Sequence, residues 1–197
     1  MELSFDNSRM GKSQGQSRSK ATKERILAAA RALFGENGFD RTTVRLVATK
    51  ASIHPSLVIR YFGSKEELFA SAVEFDLRLP DFATIRPDQR GRSLARYLIE
   101  RWEGPNAGGE LPALLRVAVT HPEGKAKLYR IFQEQLVPKI ADVVSKRRTN
   151  RSAALMATQA LGLAFTRYVV EIPAVVALSK DEIVRDIGAT FQRYFEL

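Results

Sequence analysis

The chain has 197 residues, 45% of them hydrophobic and 27% charged, which is enough for one or two small domains around a buried core. Its formal net charge of +9 points to a polyanionic partner, and residues 1–70 alone carry twelve Lys or Arg against seven Asp or Glu. Cysteine is absent, which excludes disulfides, thiolate catalysis and thiolate metal sites together.

Residues 1–20, rich in Ser, Gly, Gln and basic groups, can bury little and are expected to form a mobile arm. Within it Arg18 and Lys20 either reach phosphates or a minor groove, or are simply solvated. Glu2 to Lys23 contain no apolar core, so the segment does not read as a secretory signal. No apolar run anywhere approaches the roughly 18 to 20 residues of a membrane span, and a cytoplasmic protein is expected. The spacing of Ile26, Leu27, Ala30, Leu33 and Phe34 predicts a helix over about 22–35, closed by Gly35 and Gly38. Phe39 is expected to complete a small core with Val44, Val47, Ile53, Val58 and Phe62.

Val44, Val47, Ala48 and Ala51 recur at i, i+3, i+4, i+7, one face of a second helix that Thr42 or Thr43 can cap. The pattern breaks at Ser52-Ile53, and Pro55 suits the first position of a third helix over about 55–62. At 3.6 residues per turn Val58 and Phe62 face inward, Ser56 and Arg60 outward, with Leu57, Ile59 and Tyr61 on the flanks. That outer face is short, mixed and partly basic, which suits a DNA groove. Two short helices and a tight turn make a helix-turn-helix, whose second helix enters the major groove. Ser64-Lys65-Glu66-Glu67 is a capping box opening a fourth helix, with Lys65 placed for a phosphate. Leu68, Phe69, Ala72, Val73 and Phe75 carry that helix toward Leu79, where Pro80 stops it, making it the expected mechanical link to the second half.

Thr42-Thr43-Val44-Arg45, Ala48, Ala51 and Tyr61-Phe62-x-Ser64-Lys65-Glu66-x-Leu68 resemble the signature of tetracycline-repressor-type (TetR) regulators, and Leu33-Phe34-x-Glu36-x-Gly38-Phe39 before them fits it as well. The resemblance covers residues 22–70. Three departures stand out: Ser52 replaces the usual turn glycine and is expected to leave the turn slightly strained or differently shaped, Leu46 replaces an acidic residue, and Ile59 replaces the aromatic common in the recognition helix. The stretch from Leu114 through Thr120-His121-Pro122-Glu123 to Arg167-Tyr168 is similar, more loosely, to one group of ligand-binding halves in that family.

Beyond Pro80 a fifth helix is predicted over about 89–102, then the loop 103–109, then a sixth helix over 111–120. Thr120-His121-Pro122-Glu123 reads as a second capping box opening a helix through Leu128, Ile131, Phe132, Leu136 and Ile140, kinked at Pro138. The loop 146–151 is basic and is either solvated or a DNA contact. The next helix, about 152–172, is apolar over much of its circumference and must be covered on more than one side. Ser179-Lys180-Asp181-Glu182 is a third capping box, opening a last helix striped by Ile183, Ile187, Phe191 and Tyr194. No strand pattern longer than a few residues appears.

The expected fold is therefore all-α with about nine helices. A three-helix DNA-binding head over 21–70, with the helix-turn-helix at about 43–62, is joined to a helical ligand-binding and dimerisation domain over 71–197. The resemblance implies a homodimeric repressor that binds a palindromic operator on double-stranded DNA through its heads, pairs through its last two helices, and is released by a small-molecule effector. Thr43, Tyr61 and Lys65 are expected at phosphates, Arg45 at a guanine, Ser56 and Arg60 at base edges, and Pro55, Leu57 and Ile59 at apolar contacts such as thymine methyls. The plainer alternatives are a solvated surface for Arg60 and intramolecular packing for Leu57 and Ile59. Trp102, Phe132, Phe165 and Tyr168 are candidates to line an effector pocket, with Arg116 and Gln133, and behind them His121, Gln159, Arg167 and Glu171, as polar anchors. The alternative there is ordinary core packing, with Arg167 and Glu171 as an i, i+4 ion pair. No membrane contact, metal or cofactor is expected. An enzyme built on His121 with Asp76, Asp81 or Glu123 lacks any nucleophile motif or phosphate loop. A nonspecific nucleoid-type binder would be told apart by its salt dependence and low specificity ratio.

Overall fold

The structure, a computed structural model, describes residues 8–104 and 109–197, with side chains described from residue 17 onward. All regular structure among the described residues is helical, and the fold is all-α. The chain divides into two compact units, Met1–Ala72 and Val73–Leu197.

The first unit holds α1 (Ser8–Arg41), α2 (Val44–Lys50), α3 (Pro55–Phe62) and α4 (Lys65–Ala72). Where a mobile arm is expected over 1–20, residues 8–20 instead continue α1, and residues 1–7 lie outside the described residues. The arm's composition argues against burial, yet no proline interrupts the helical ladder before Thr42, and the Thr22 hydroxyl donates to the Arg18 carbonyl at 2.8 Å. Gly35 stays helical; the break falls at Gly38, whose φ of 75° is open to glycine at little cost. Fully buried Thr42 then pins the end of α1 by donating to the carbonyls of Gly38 (2.8 Å) and Leu33 (3.0 Å). This leaves Thr43 as the cap of α2, its hydroxyl accepting the Leu46 N–H at 3.2 Å.

The core of this unit is built on Ile26, Ala30, Val47, Ala48, Val58, Leu68 and three phenylalanines. Phe39 stacks on Phe34 at 5.8 Å, and Phe69 meets both edge-on at 5.1 and 5.4 Å, so three rings tie the two ends of the head together. Val44, Ile53 and Phe62 stand only half-buried at the rim of this core. The Ser64 box forms as the sequence predicts: the Glu67 N–H donates to Ser64 Oγ at 3.1 Å, and the Ser64 N–H to the Glu67 carboxylate at 2.9 Å.

The fourth helix ends at Ala72, not near Leu79, and residues 74–81 are not helical. Side chains take the bonds a helix would need: the Leu77 N–H donates to Gln135 Oε1 at 2.7 Å, and the Tyr97 hydroxyl donates to the Leu77 carbonyl at 2.7 Å. The Arg78 N–H donates to Asp76 at 3.0 Å, with Arg78 at φ 47°. The link from head to second half is thus an extended segment held by tertiary hydrogen bonds.

The second unit continues with α5 (Arg90–Glu103), α6 (Glu110–Thr120), α7 (Pro122–Ile131), a π-helical turn over Phe132–Leu136, α8 (Val137–Ala141), α9 (Thr149–Tyr168), α10 (Pro173–Val176) and α11 (Lys180–Glu196). Where a kink is expected at Pro138, the helix carries that π turn just before the proline, in which the Val137 N–H reaches back five residues to the Phe132 carbonyl. The box expected at Thr120 does not form. Pro122 fixes the first helical position, so His121 becomes the cap and Glu123 falls one residue short of the place from which it could reach back. Glu123 pairs instead with His121, and Thr120 donates to the Val117 carbonyl at 3.4 Å. The Ser179 box is complete. The apolar helix predicted over 152–172 runs as α9 over Thr149–Tyr168, and Pro173 opens the short α10 beyond it. Among the described residues there are eleven α segments rather than nine, because the π turn divides one predicted helix and α10 adds a short one before Ser179.

Phe82, Leu94, Leu98, Ile140, Met156, Phe191 and Phe195 form the main core of this unit. Its tightest crossing is α5 on α11, where Gly91 lies against Gly188 and the Gly91 N–H donates to Gln192 Oε1 at 2.9 Å. A Cβ on Gly91 would stand 2.3 Å from backbone atoms of both Gly188 and Gln192. Gly91→Ala is expected to destabilise the protein by about 1–3 kcal/mol through this overpacking, read as a lower urea midpoint at unchanged slope.

Candidate nucleic-acid interface and effector cavity

The turn from α2 to α3 decides how α3 is presented. The Ile53 N–H donates to the Ala48 carbonyl and the Ser52 N–H to the Thr49 carbonyl, both at 3.0 Å, the paired bonds of a Schellman ending. Ser52 occupies the position where that ending favours glycine, at φ 53°. The Arg25 guanidinium on α1 donates to the Ala51 carbonyl and, at 3.1 Å, to the Ser52 carbonyl, supplying a cation to acceptors that the end of α2 leaves open. His54 then caps α3: its Nδ1 accepts the Ser56 N–H at 3.3 Å, which makes the Ser56 hydroxyl, 2.7 Å away, a donor to the same nitrogen.

On α3, Val58 is 1% exposed and Ile59 is 48% exposed. Ser56, Ile59 and Arg60 form the outer side, and Pro55, Leu57 and Tyr61 are half-buried beside it. Ile59 thus belongs to the outer face rather than the flank. The guanidinium carbon of Arg60 lies 5.5 Å from the Tyr61 ring, with Lys23 Nζ at the same distance. At the start of α2, Thr43 and Arg45 are exposed; the Thr43 hydroxyl accepts its capping bond and retains its own proton for donation. Lys65 sits 4.3 Å from the centre of the Phe39 ring and gives one hydrogen bond, at 3.3 Å, to the Asp40 carbonyl. Two of its three N–H donors stay available among the described residues.

In the second unit a cavity of about 80 Å³ lies among α5, α6, α7, the π turn and α9. Trp102 and Phe132 line it; Phe165, Arg116 and Gln133 do not. Tyr168 lines a smaller neighbouring cavity of about 20 Å³, which shares Trp102 with the first. The polar candidates are engaged elsewhere. Arg167 does not pair with Glu171: α9 stops at Tyr168, so the i, i+4 relation is lost. Instead Arg167 donates to Glu103 at 2.7 Å and to the carbonyls of Val175 (2.6 Å), Val176 (3.1 Å) and Leu178 (3.1 Å), while Glu171 faces Arg116 at 3.6 Å. The Tyr168 hydroxyl donates to Glu103 at 2.8 Å, and the Arg116 guanidinium to the Tyr168 carbonyl at 3.1 Å. Burial pushes the Glu103 carboxyl up, but the hydrogen bonds from Arg167 and Tyr168 outweigh it and hold the group below the usual carboxylate range. Burial, and then the carboxylate it bonds, raise the Tyr168 phenol, so it stays a neutral donor. Gln133 is exposed, and Gln159 is half-buried.

The model of tetR-family bacterial regulatory proteins matches residues 26–72, and the model of the tetracyclin repressor-like C-terminal domain matches residues 88–195, more than half of the chain. The chain belongs to the TetR family of transcriptional regulators. Among curated relatives it is 31% identical over 85 residues to the HTH-type transcriptional regulator UidR of Escherichia coli, a stretch covering 43% of each chain. It is 43% identical over 122 residues to an uncharacterized HTH-type regulator of Mycobacterium tuberculosis, covering 59% of this chain and 57% of that one. The chain therefore spans about half the length of these relatives. A solved TetR-family regulator of Streptomyces coelicolor is 26% identical with a TM-score of 0.61, over 89% of this chain and 95% of that chain. A SmeT–triclosan complex shares the fold, with a TM-score of 0.66 at 21% identity, over 86% and 91% of the two chains.

Within this TetR head two contributors escape sequence reasoning. His54 is a cap of a residue type that capping rules do not favour, and Arg25 acts across 26 positions, where no local pattern points to it. The Ser52 strain is local and gives the turn a measurable signature. Relief of the left-handed penalty, roughly 1–2 kcal/mol, outweighs the roughly 0.4–1 kcal/mol that glycine's looser unfolded chain costs. Ser52→Gly is thus expected to raise unfolding stability by up to about 1 kcal/mol in urea titration, and an unchanged or lower midpoint would contradict the strain.

Proposed function

We propose that this TetR-family protein is a homodimeric, sequence-specific repressor that binds a palindromic operator and is released by a small molecule. The observation that carries the reading is the outer side of α3: Ser56, Ile59 and Arg60 stand exposed on a helix whose opposite side is locked into the core by Val58. Around it, groups with spare hydrogen-bonding capacity suit a duplex. Thr43, Tyr61 and Lys65 take phosphates and set register, Arg45 takes a guanine by a two-pronged contact, and Ser56 and Arg60 take base edges. Pro55, Leu57 and Ile59 offer apolar surface to thymine methyls. Two such helices related by a two-fold axis read half-sites one turn or more apart, ~34–36 Å per turn.

Dimerisation is supported by α9, which one chain leaves partly uncovered: Ala154, Thr158, Leu161 and Gly162 recur on one face and are exposed. We assign this stripe, with α11 beside it, to a four-helix contact with a second copy. Because a two-fold interface presents each residue twice, Gly162→Arg places two like charges in it. The variant is expected to sediment as a monomer with unchanged helicity and to lose at least tenfold in operator affinity; a dimer of wild-type stability would move the interface elsewhere.

Selection of bound fragments from random DNA at fixed salt tests the central reading. A palindrome preferred by ~10³ or more over random duplex is expected, and uniform binding would overturn sequence-specific regulation. On the selected site, Arg45→Ala is expected to cost about 1–3 kcal/mol and to relax preference at one base pair, with thermal stability unchanged because Arg45 is exposed.

A further inference from the structure

The cavity in the second unit has a chemistry narrow enough to name its occupant, an inference that rests on the effector reading above. All of its lining side chains are apolar, among them Leu98, Trp102, Leu111, Phe132, Ala157 and Leu161, and the Trp102 indole nitrogen is the one polar side-chain atom they carry. That Trp102 N–H is buried and has no acceptor among the described residues. Buried donors are satisfied in the great majority of proteins, so an orphaned one in a cavity wall marks where an acceptor belongs. At about 80 Å³ the cavity compares with the roughly 10–15 Å³ needed to seat one water, room for about five to eight water-sized centres and so for a single ring with a short substituent.

Charge is disfavoured by the wall itself, which carries no ionic side chain. Of the nearby ionic groups, Glu103 is committed to Arg167, Tyr168 and Lys180, Arg116 to Glu171 and the Tyr168 carbonyl, and the Arg101 guanidinium lies 5.0 Å from the Phe75 ring. An anion or cation in the cavity would therefore lose its hydration with no charged partner in the wall. Phe75 and Leu77, in the segment that follows α4 in the chain, also line the cavity, so an occupant touches the stretch leading back to the head's last helix. The π turn supplies Phe132 and Leu136 to the same wall, the kind of helical irregularity found at functional sites.

We propose that the effector is a neutral, single-ring aromatic compound with one hydrogen-bond acceptor, held in this cavity with its acceptor on the Trp102 indole N–H. Trp102 is then the specificity-determining residue, and the remaining wall selects for shape and lack of charge.

The test uses the full chain without DNA and four probes of similar size: acetophenone (neutral, one acceptor), α-methylstyrene (the same shape without an acceptor), benzoate and benzylammonium. In titration calorimetry acetophenone is expected to bind about tenfold more tightly than α-methylstyrene, the reach of one ordinary hydrogen bond, and at least a hundredfold more tightly than either ion. Trp102→Phe should bring acetophenone and α-methylstyrene to equal affinity, and the cavity-filling Ala160→Leu should weaken both. Because the chain has one tryptophan, its single indole N–H resonance gives a readout without any variant. It should move downfield with saturating acetophenone and stay nearly fixed with α-methylstyrene. Benzoate or benzylammonium binding as tightly as acetophenone, an indole resonance indifferent to acetophenone, or a preference that survives Trp102→Phe would each overturn the proposal. Operator binding, followed separately by fluorescence anisotropy, keeps the two readings apart. A protein that holds its operator but binds none of the probes overturns the ligand class alone. One that binds acetophenone as described but no duplex upholds the ligand class and overturns the regulator.

Discussion

The hold of Arg25 on the end of α2 is the constraint on which the presentation of α3 depends. A helix leaves its last carbonyls without partners, and here the Schellman bonds from Ser52 and Ile53 account for Thr49 and Ala48 while the Arg25 guanidinium takes Ala51 and Ser52. A charged donor on two carbonyls is stronger than a neutral one, and it sits where the helix dipole favours a cation. It offsets a non-glycine residue in the left-handed region at Ser52. With the turn set, His54 caps the next helix and Val58 fixes its rotation, so Ser56, Ile59 and Arg60 have one side left to face.

The second unit is shaped by a different competition, between the helical ladder and side chains that offer the backbone other partners. Gln135 and Tyr97 take both backbone groups of Leu77 and so keep the chain after α4 extended, with Phe75 and Leu77 in the cavity wall. Gln135 itself lies in the π turn that precedes Pro138, so the same irregularity that relieves the proline also supplies a partner for the extended segment. Arg167 acts likewise at the end of α9. One guanidinium binds Glu103 and three carbonyls between Val175 and Leu178, closing α9 onto α5 and onto the loop before α11. A largely buried pair of this kind is tolerated because both Glu103 oxygens and the Arg167 Nε and Nη1 groups find partners.

These two devices place the polar groups away from the cavity and leave its wall to carbon. Aromatic residues at helical spacing suit core packing or a pocket wall, and the pattern alone favours the core. Trp102 and Phe132 line the cavity, whereas Phe165 stands half-buried outside its wall. Arg116, Arg167 and Glu171 look like anchors when read along the chain because burial and partner choice are invisible there. In space they are consumed by one another and by Glu103.

What the sequence determined by itself is whatever depends on residues within a turn or two of each other. The periodicity of Val44 to Ala51, the boxes at Ser64 and Ser179, the helix start at Pro55 and the family signature around them are local, and they made the all-α fold and the helix-turn-helix legible. Contacts between positions far apart in the chain were decided only by tertiary structure. Arg25 on Ser52, Gln135 on Leu77, Arg167 on Glu103 and Gly91 against Gly188 span from 27 to 97 positions, and no pattern along one helix encodes the partner on another. For the same reason α4 ends early: local propensity sets what a segment can do, and the groups packed against it settle what it does.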